Sequence, residues 1–441
     1  MTNLTINPMI NQARLLRELH HLATLTDCPA TTDATLPAPT TAVTRIVFTP
    51  RDLEARAYIA SLATTAGLQI RTDPIGNTFI RWPGTQPELP AIGTGSHSDA
   101  IPHAGMYDGT VGVLGGLEAM RSLKESGFLP TRSIETLMLT SEEPTRFGIG
   151  CIGSRLLGGV LDPTTADQLP DRLPEIEPTA LQGLTLEDVR TAAGFLGALE
   201  TIKLPTNYYS AWVELHIEQG PLLEREGIPI GIVTNIAAPA SYRYIIEGFG
   251  GHAGALLMPD RHDALTAAAE LILSVERHTL AANKTSGTAD SVATIGTVAV
   301  HPGAVNSVPS RVTLMLDIRD TDPTRRDQIM SNICDDIHDI ETRRTVKITE
   351  QKINADQPAV SDPRILSTIE SICQSENVPY KKMVSRAYHD SSFIARIAPI
   401  AMIFIPCRNG VSHRPDEYAT PESIALGTRI LALTLSQLSS T

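Results

Sequence analysis

The sequence predicts an α/β fold on a largely parallel sheet, interrupted by a second, smaller unit of two helices and four strands. Three observations carry this. In the first half, short apolar runs alternate with helical stretches, the order that builds a parallel sheet. From about residue 241 the order becomes strand, helix, strand, strand, helix, strand, a split unit complete in itself. Beyond it the first pattern returns and ends in the apolar run PIAMIFIP. A chain of 441 residues has room for two or three domains.

The elements follow in order. Residues 30–45, ATTDATLPAPTTAVTR, read as an extended loop. A helix then begins where Thr49 caps, Pro50 fits the first turn and Asp52 meets the positive helix end, and Gly67 closes it. Strands over 68–72 and 77–82 flank a Pro-Ile-Gly turn. AIGTGSH is a short buried strand ending at His97, and GTVGVLGGLEAMRSLKESG is a helix closed by Gly127. SIETLMLT is the next strand, running into Ser141, Glu142 and Glu143. AWVELHIEQG alternates with period two. Val213, Leu215 and Ile217 take the core face, and Glu214, His216 and Glu218 form a row of potential ligands on the other. In the second unit, strands at 241–248, 291–300, 311–319 and 345–352 with helices at 262–282 and 323–342 give the ferredoxin-like βαββαβ order. The expected division is an insert over 237–349 within a domain formed by 1–236 and 350–441.

Composition narrows the function. Apolar residues make up 42% of the chain, enough for a sizeable core. The net charge of −13 argues against a nucleic-acid partner. No stretch approaches the ~20 apolar residues of a membrane span. The start, MTNLTINPMINQARLLREL, lacks the basic-then-apolar pattern of a secretory signal, so the expected setting is cytoplasmic. Cys28, Cys151, Cys334, Cys373 and Cys407 are scattered and form no CxxC pair, so they read as reduced structural thiols.

The chemistry-bearing residues fall at strand ends or in the loops after them, where open α/β sheets build their sites. His97 and Asp99 stand together in SHSD, and a metal-binding histidine commonly hands its other ring nitrogen to a carboxylate such as Asp99. Asp108, in YDG, suits a plain helix cap, but its two oxygens can also bridge two cations. Glu142 and Glu143 point in different directions, so one can bind metal while the other acts as general base on the attacking water. With His216 and His413 the set divides into two groups around Asp108: His97 with His216, and Glu143 with His413. Mixed imidazole and carboxylate ligands suit Zn, Mn, Co or Ni. Two such ions ~3.5–4 Å apart make a hydrolytic centre.

GSHSD…YDG, SEEPTRFG, ELHIEQGPLLE, GGHAGA, NSVPS…LDIRD and SHRPDE, in this order, resemble the di-metal amidohydrolases. This family holds allantoate amidohydrolases, N-carbamoyl-L-amino-acid hydrolases and ureidoglycolate amidohydrolases, and it is related to the metallo-aminoacylases and carboxypeptidases. The resemblance runs from about residue 45 through nearly the whole chain. TSEEPTRFG, TNIAAPAS, GGHAGALLMP and SRAYHDS are most similar to the ureidoglycolate branch. The other branches tend to have Gly where Tyr388 stands and Gly-Gln where this chain has APAS.

The resemblance implies a mixed-sheet, di-metal aminopeptidase-like catalytic domain with a ferredoxin-like insert that serves dimerisation and as a lid. It implies two divalent ions per subunit, Mn2+ first, with Zn2+, Ni2+ or Co2+ as alternatives. It makes His97, Asp108, Glu143, His216 and His413 the ligands, Glu142 the general base and Asp99 the orienting carboxylate. Gln219, Asn306, Arg319, Tyr388 and His389 become substrate-binding residues, and His252 a catalytic group supplied across a homodimer. The implied substrate is a small ureido carboxylate, (S)-ureidoglycolate first, with an N-carbamoyl-L-amino acid or allantoate as the alternative.

Overall fold

The computed structural model describes residues 7–27 and 37–440. Cys28 and the first part of the loop expected over 30–45 lie outside the described residues. The remainder of that loop includes a short strand, Val43–Arg45, paired antiparallel with Ala100–Ala104. The chain divides into two compact units, one formed by 1–234, 360–383 and 389–441, the other by 235–359 and 384–388.

The larger unit is built on a nine-stranded mixed sheet. At its centre, strand Ala91–His97 lies parallel to Ile134–Leu139 on one side and to Tyr209–Ile217 on the other, and Ile400–Ile405 continues the parallel run. Antiparallel strands flank this core. Thr78–Trp82 pairs with Ile134–Leu139, Gln69–Thr72 with Thr78–Trp82, and Ile230–Ile236 with Ile400–Ile405. Tyr209–Ile217 lies inside the sheet, between Ala91–His97 and Ile400–Ile405, and is buried almost throughout despite its alternating sequence. Val213, Leu215 and Ile217 join the main apolar core, and the polar face is covered as well.

Helix Pro50–Thr65 begins as its sequence predicts, with the Thr49 side chain accepting from the Asp52 N–H. Helix Thr110–Glu125 is buried from Thr110 through Leu123, which places it in the interior rather than at the surface. It can lie that close to the sheet because Gly112 has no side chain; a Cβ there would stand 2.5 Å from the Leu215 carbonyl oxygen. Among the described residues, the helices with no counterpart in the sequence reading include Gln12–Thr24, Ile152–Leu157, Pro163–Asp167, Leu173–Ile176, Leu186–Ala192, Leu222–Glu226, Ser391–Ile394 and the long Pro421–Ser439.

The smaller unit has the strand order Val292–His301, Arg311–Asp320, Ala238–Glu247, Lys347–Ala355, all antiparallel. Helices Ala264–Ser286 and Pro323–Arg344 pack on it through a separate apolar core that includes Leu271, Val275, Ile329, Ile333, Leu314 and Leu316. Its boundary departs from the expected insert. A cut at 349 would divide strand Lys347–Ala355, which pairs with Ala238–Glu247 along its length, so the unit extends to 359. The segment 384–388 also belongs to it.

Candidate metal centre

Parallel strands in register deliver their following loops to one end of the sheet. His97 is the last residue of its strand, Glu142 and Glu143 follow Ile134–Leu139, His216 nearly ends Tyr209–Ile217, and His413 follows Ile400–Ile405. Asp108 precedes the buried helix that starts at Thr110. Several of these loops carry unusual backbone: Ser141, Cys151, Gln219 and His413 all have φ between 54° and 58°. Non-glycine residues reach that left-handed region rarely and concentrate there at functional loops.

Asp108 stands in the middle. Its Oδ1 lies 3.5 Å from His97 Nε2 and 3.1 Å from His216 Nε2. Its Oδ2 lies 3.3 Å from His413 Nε2, which is also 3.3 Å from Glu143 Oε1. His97, Asp108 and His216 thus form one group able to hold a cation, and Asp108, Glu143 and His413 a second. The two histidines of the first group are fixed from behind. His97 Nδ1 donates to the Asp99 carbonyl at 3.0 Å, and His216 Nδ1 to the Ile217 carbonyl at 2.9 Å. A carbonyl only accepts, so each ring keeps its proton on Nδ1 and offers the Nε2 lone pair inward.

The electrostatics favour a cation. Burial acts to raise the Asp108 carboxyl, but hydrogen bonds from His216, His413 and His97 hold it well below the usual range. The same contacts act on the rings: hydrogen bonds to Asp108 and Glu143 push His413 up to about 11. His97 is raised well above its ordinary value, since Glu142 and Asp108 outweigh burial, and His216 is raised by Asp108 against its own burial. Protons here occupy places that suit positive charge. Three imidazoles and two carboxylates, in two groups that share Asp108, fit borderline divalent ions.

Glu142 is set beside this cluster. Burial first, then the charges of Glu143, Asp390 and Asp108, push its carboxyl well above the ordinary value. Its Oε2 is 3.7 Å from His97 Nε2, and its Oε1 is 3.5 Å from the Cys151 thiol. The Cys151 N–H also donates to the Glu142 carbonyl at 2.8 Å. Asp99 meets His97 through its carbonyl, while its carboxylate is 3.8 Å from the ring and accepts instead from the Glu142 and Glu143 N–H groups at 3.3 and 3.1 Å. It therefore fixes the backbone of the acidic pair.

Of the expected ligand row on Tyr209–Ile217, only His216 faces Asp108. Glu214 accepts from Ser96 and Ser391, and Glu218 accepts from the Leu222 and Leu223 N–H groups, capping a turn. Gln219 Nε2 donates to Asp108 Oδ2 at 2.6 Å. The buried His389 ring packs edge-on against His216, with centroids 4.6 Å apart.

The remaining predicted residues lie in the smaller unit. His252 is exposed, and it sits opposite Ser307 in a two-residue strand pair, which puts Asn306 beside it. Arg319 donates from Nε to Asp317 at 2.7 Å. It lies far up strand Arg311–Asp320 from Arg311, a rise of roughly 26 Å at ~3.3 Å per residue. Asn306 and Arg319 of one chain, both expected to bind the substrate, are therefore not brought together within this unit. The Tyr388 hydroxyl donates to Asp356 at 2.8 Å.

Two further groups escaped the sequence reading. Glu417 is buried and accepts from the Tyr107 and Asp108 N–H groups at 2.8 and 3.0 Å. Ser412 Oγ lies between Asp108 Oδ2 at 2.8 Å and Glu417 Oε2 at 2.7 Å. One hydroxyl proton cannot serve both. Burial, then the Asp108 charge, pushes the Glu417 carboxyl up to about 7, which lets it supply the second proton. The signal was in view, since Glu417 closes the SHRPDE motif.

Residues 93–437 match the model of Peptidase family M20/M25/M40. The ureidoglycolate hydrolase of Oryza sativa subsp. japonica is 48% identical over 429 residues, 96% of this chain and 84% of that one. The N-carbamoyl-L-amino acid amidohydrolase of Geobacillus stearothermophilus is 35% identical over 405 residues, 91% of this chain and 94% of that one. The crystal structure of AtUAH in complex with glyoxylate superposes with a TM-score of 0.83 at 45% identity, covering 98% of each chain. A fold with ligand-bearing loops at one end of a mixed sheet, and relatives matched along almost the whole chain, lead to one assignment: this chain belongs to Peptidase family M20/M25/M40.

Proposed function

We propose that the chain hydrolyses the ureido C–N bond of (S)-ureidoglycolate, giving glyoxylate, two ammonia and carbon dioxide. The observation that carries the chemistry is Asp108, whose two oxygens enter two separate donor groups beside the Glu142 carboxyl. Hydrolysis of an amide C–N bond is the activity of the family's amidohydrolases. The choice of ureidoglycolate rests on relatives such as the rice enzyme, 48% identical. It also rests on Tyr388, whose bulk favours a small ureido acid over one with a long side chain.

In this reading His97, His216 and Asp108 hold one divalent ion, and Asp108, Glu143 and His413 the other, with manganese our first choice. When bound, such ions polarise a carbonyl and lower the pKa of water. Glu142 takes the proton from the attacking water and passes it to the departing ammonia. His252 donates a hydrogen bond to the developing oxyanion, and Arg319, with its planar fork, binds the substrate carboxylate. Gln219 contacts the substrate, and His389 with Tyr388 lines its pocket. The carbamate left on the substrate loses carbon dioxide, and the resulting hydroxyglycine breaks down to glyoxylate and the second ammonia.

We assign the smaller unit as a ferredoxin-like lid and dimerisation element. The separation of Asn306 from Arg319 supports this: if His252 comes from a partner subunit, Asn306 beside it comes too, and meets the first chain's Arg319 across the substrate. The four described cysteines are free, which suits a reducing, cytoplasmic setting.

The test is product analysis with metal-loaded protein and (S)-ureidoglycolate. Two ammonia per glyoxylate are expected. Ammonia without glyoxylate, from allantoate or a carbamoyl amino acid only, would move the assignment to another branch of the family.

A further inference from the structure

The metal-ligand candidates Asp108 and His413 lie 305 positions apart, in loops that side chains join. One buried residue reaches both. Glu417 Oε1 accepts from the Tyr107 and Asp108 N–H groups, and its Oε2 meets the Ser412 hydroxyl, which in turn contacts Asp108 Oδ2. Ser412 is the residue immediately before His413. The approach is close on the other side as well: a Cβ on Gly105 would lie 2.3 Å from Glu417 Cβ and 2.5 Å from its Oε1. Only glycine lets the 105–109 stretch pack down on this carboxyl.

We propose that Glu417 is a positioning residue that clamps the Asp108 loop to the His413 loop, and so sets the geometry of the second cation site, formed by Asp108, Glu143 and His413. It touches no substrate and donates no ligand. It acts by holding the backbone of the shared carboxylate and, through Ser412, the register of the His413 turn. This inference rests on the ligand roles assigned above.

The hydrogen-bond pattern specifies which replacement succeeds. Glutamine at 417 can accept both backbone N–H groups at its oxygen and donate from Nε2 to Ser412 Oγ, leaving the Ser412 proton for Asp108. Every partner stays satisfied. Alanine abandons two buried N–H groups and frees the His413 turn.

The experiment is calorimetric titration of Mn2+ into chelator-stripped wild type, Glu417→Ala, Glu417→Gln and Ser412→Ala, with thermal melts of each. Wild type is expected to take up two ions. Glu417→Ala should keep one tight site and lose affinity at the other by about 10–100-fold, the usual cost of removing a residue that orients ligands. Glu417→Gln should restore near wild-type binding, and Ser412→Ala, which removes the hydroxyl standing between Glu417 and Asp108, should weaken the same site. Should Glu417→Ala fail to fold, the Ser412→Ala and Glu417→Gln pair decides the matter. Unchanged binding of two ions by the Ala variants would overturn the clamp and leave the ligand assignment standing. A wild type that binds no pair of ions would instead overturn the assignment itself.

Discussion

Glu142 and Glu143 are neighbours in sequence that face different surroundings. Glu143 Oε1 lies 3.3 Å from His413, whereas the Glu142 oxygens meet the Cys151 thiol and His97. The Asp99 carboxylate accepts from both backbone N–H groups, so the main chain from which the two side chains diverge is held in place. Changing Glu142→Gln should therefore leave metal content unchanged and lower kcat by about 10²–10⁴-fold, the range for losing a general acid–base group. Steady-state rates beside elemental analysis check this; a variant that loses metal instead would make Glu142 a ligand. His413 supports a second prediction. In metal-free protein its folded pKa is raised to about 11 from an ordinary value of about 6.5. A raised pKa contributes stability that is full below about pH 6.5 and is lost as pH climbs through the folded value. The melting temperature of chelator-treated protein should accordingly decline between about pH 7 and 10, and saturating Mn2+ should flatten that decline by displacing the proton. Parallel curves with and without metal would contradict the assignment of His413.

Elements explain how much of this was legible. The candidate ligands His97, Glu143, His216 and His413 each fall at or near the end of a strand whose apolar run is plain in the sequence, whereas Asp108 stands before a helix. The alternation of AWVELHIEQG correctly separated its two faces, yet it could not say that Ser96, Ser391 and a local turn would occupy Glu214 and Glu218. Those partners come from elsewhere in the chain. Helices such as Pro163–Asp167 and Leu186–Ala192 are too short to show an apolar period; they are held by caps, Asp162 in the first and a Thr185–Asp188 capping box in the second. Glu417 stayed hidden for a related reason, since its role exists only once the 105–109 stretch folds against it. That stretch yields a further prediction. Gly109 has φ 66°, and a Cβ there would stand 2.5 Å from the His97 ring. Gly109→Ala should cost about 1–3 kcal/mol from overpacking, before strain is added. It should also weaken metal binding by displacing His97, measurable as a lower melting temperature and a lower Mn2+ affinity. An unperturbed variant would show that the loop has slack.

For the whole molecule, the division into two units was visible from the change in element order, and its boundary was not, because strand pairing rather than composition decides where a sheet ends. The proposal that His252 of the partner subunit completes each site has a direct test. Glu142→Gln and His252→Ala should each be nearly inactive alone. After mixing, unfolding and refolding together, about one quarter of wild-type activity should return, since half the dimers are mixed and each of those holds one intact site. No recovery would place His252 in its own chain's site or outside catalysis.

The most direct test of the central claim is kcat/KM on Mn2+-reloaded protein, following ammonia from (S)-ureidoglycolate, allantoate and a few N-carbamoyl-L-amino acids. The account predicts a strong preference for (S)-ureidoglycolate, weakened when Tyr388 is changed to Gly. A preference for carbamoyl amino acids, indifferent to Tyr388→Gly, would leave the metal centre intact and contradict the substrate.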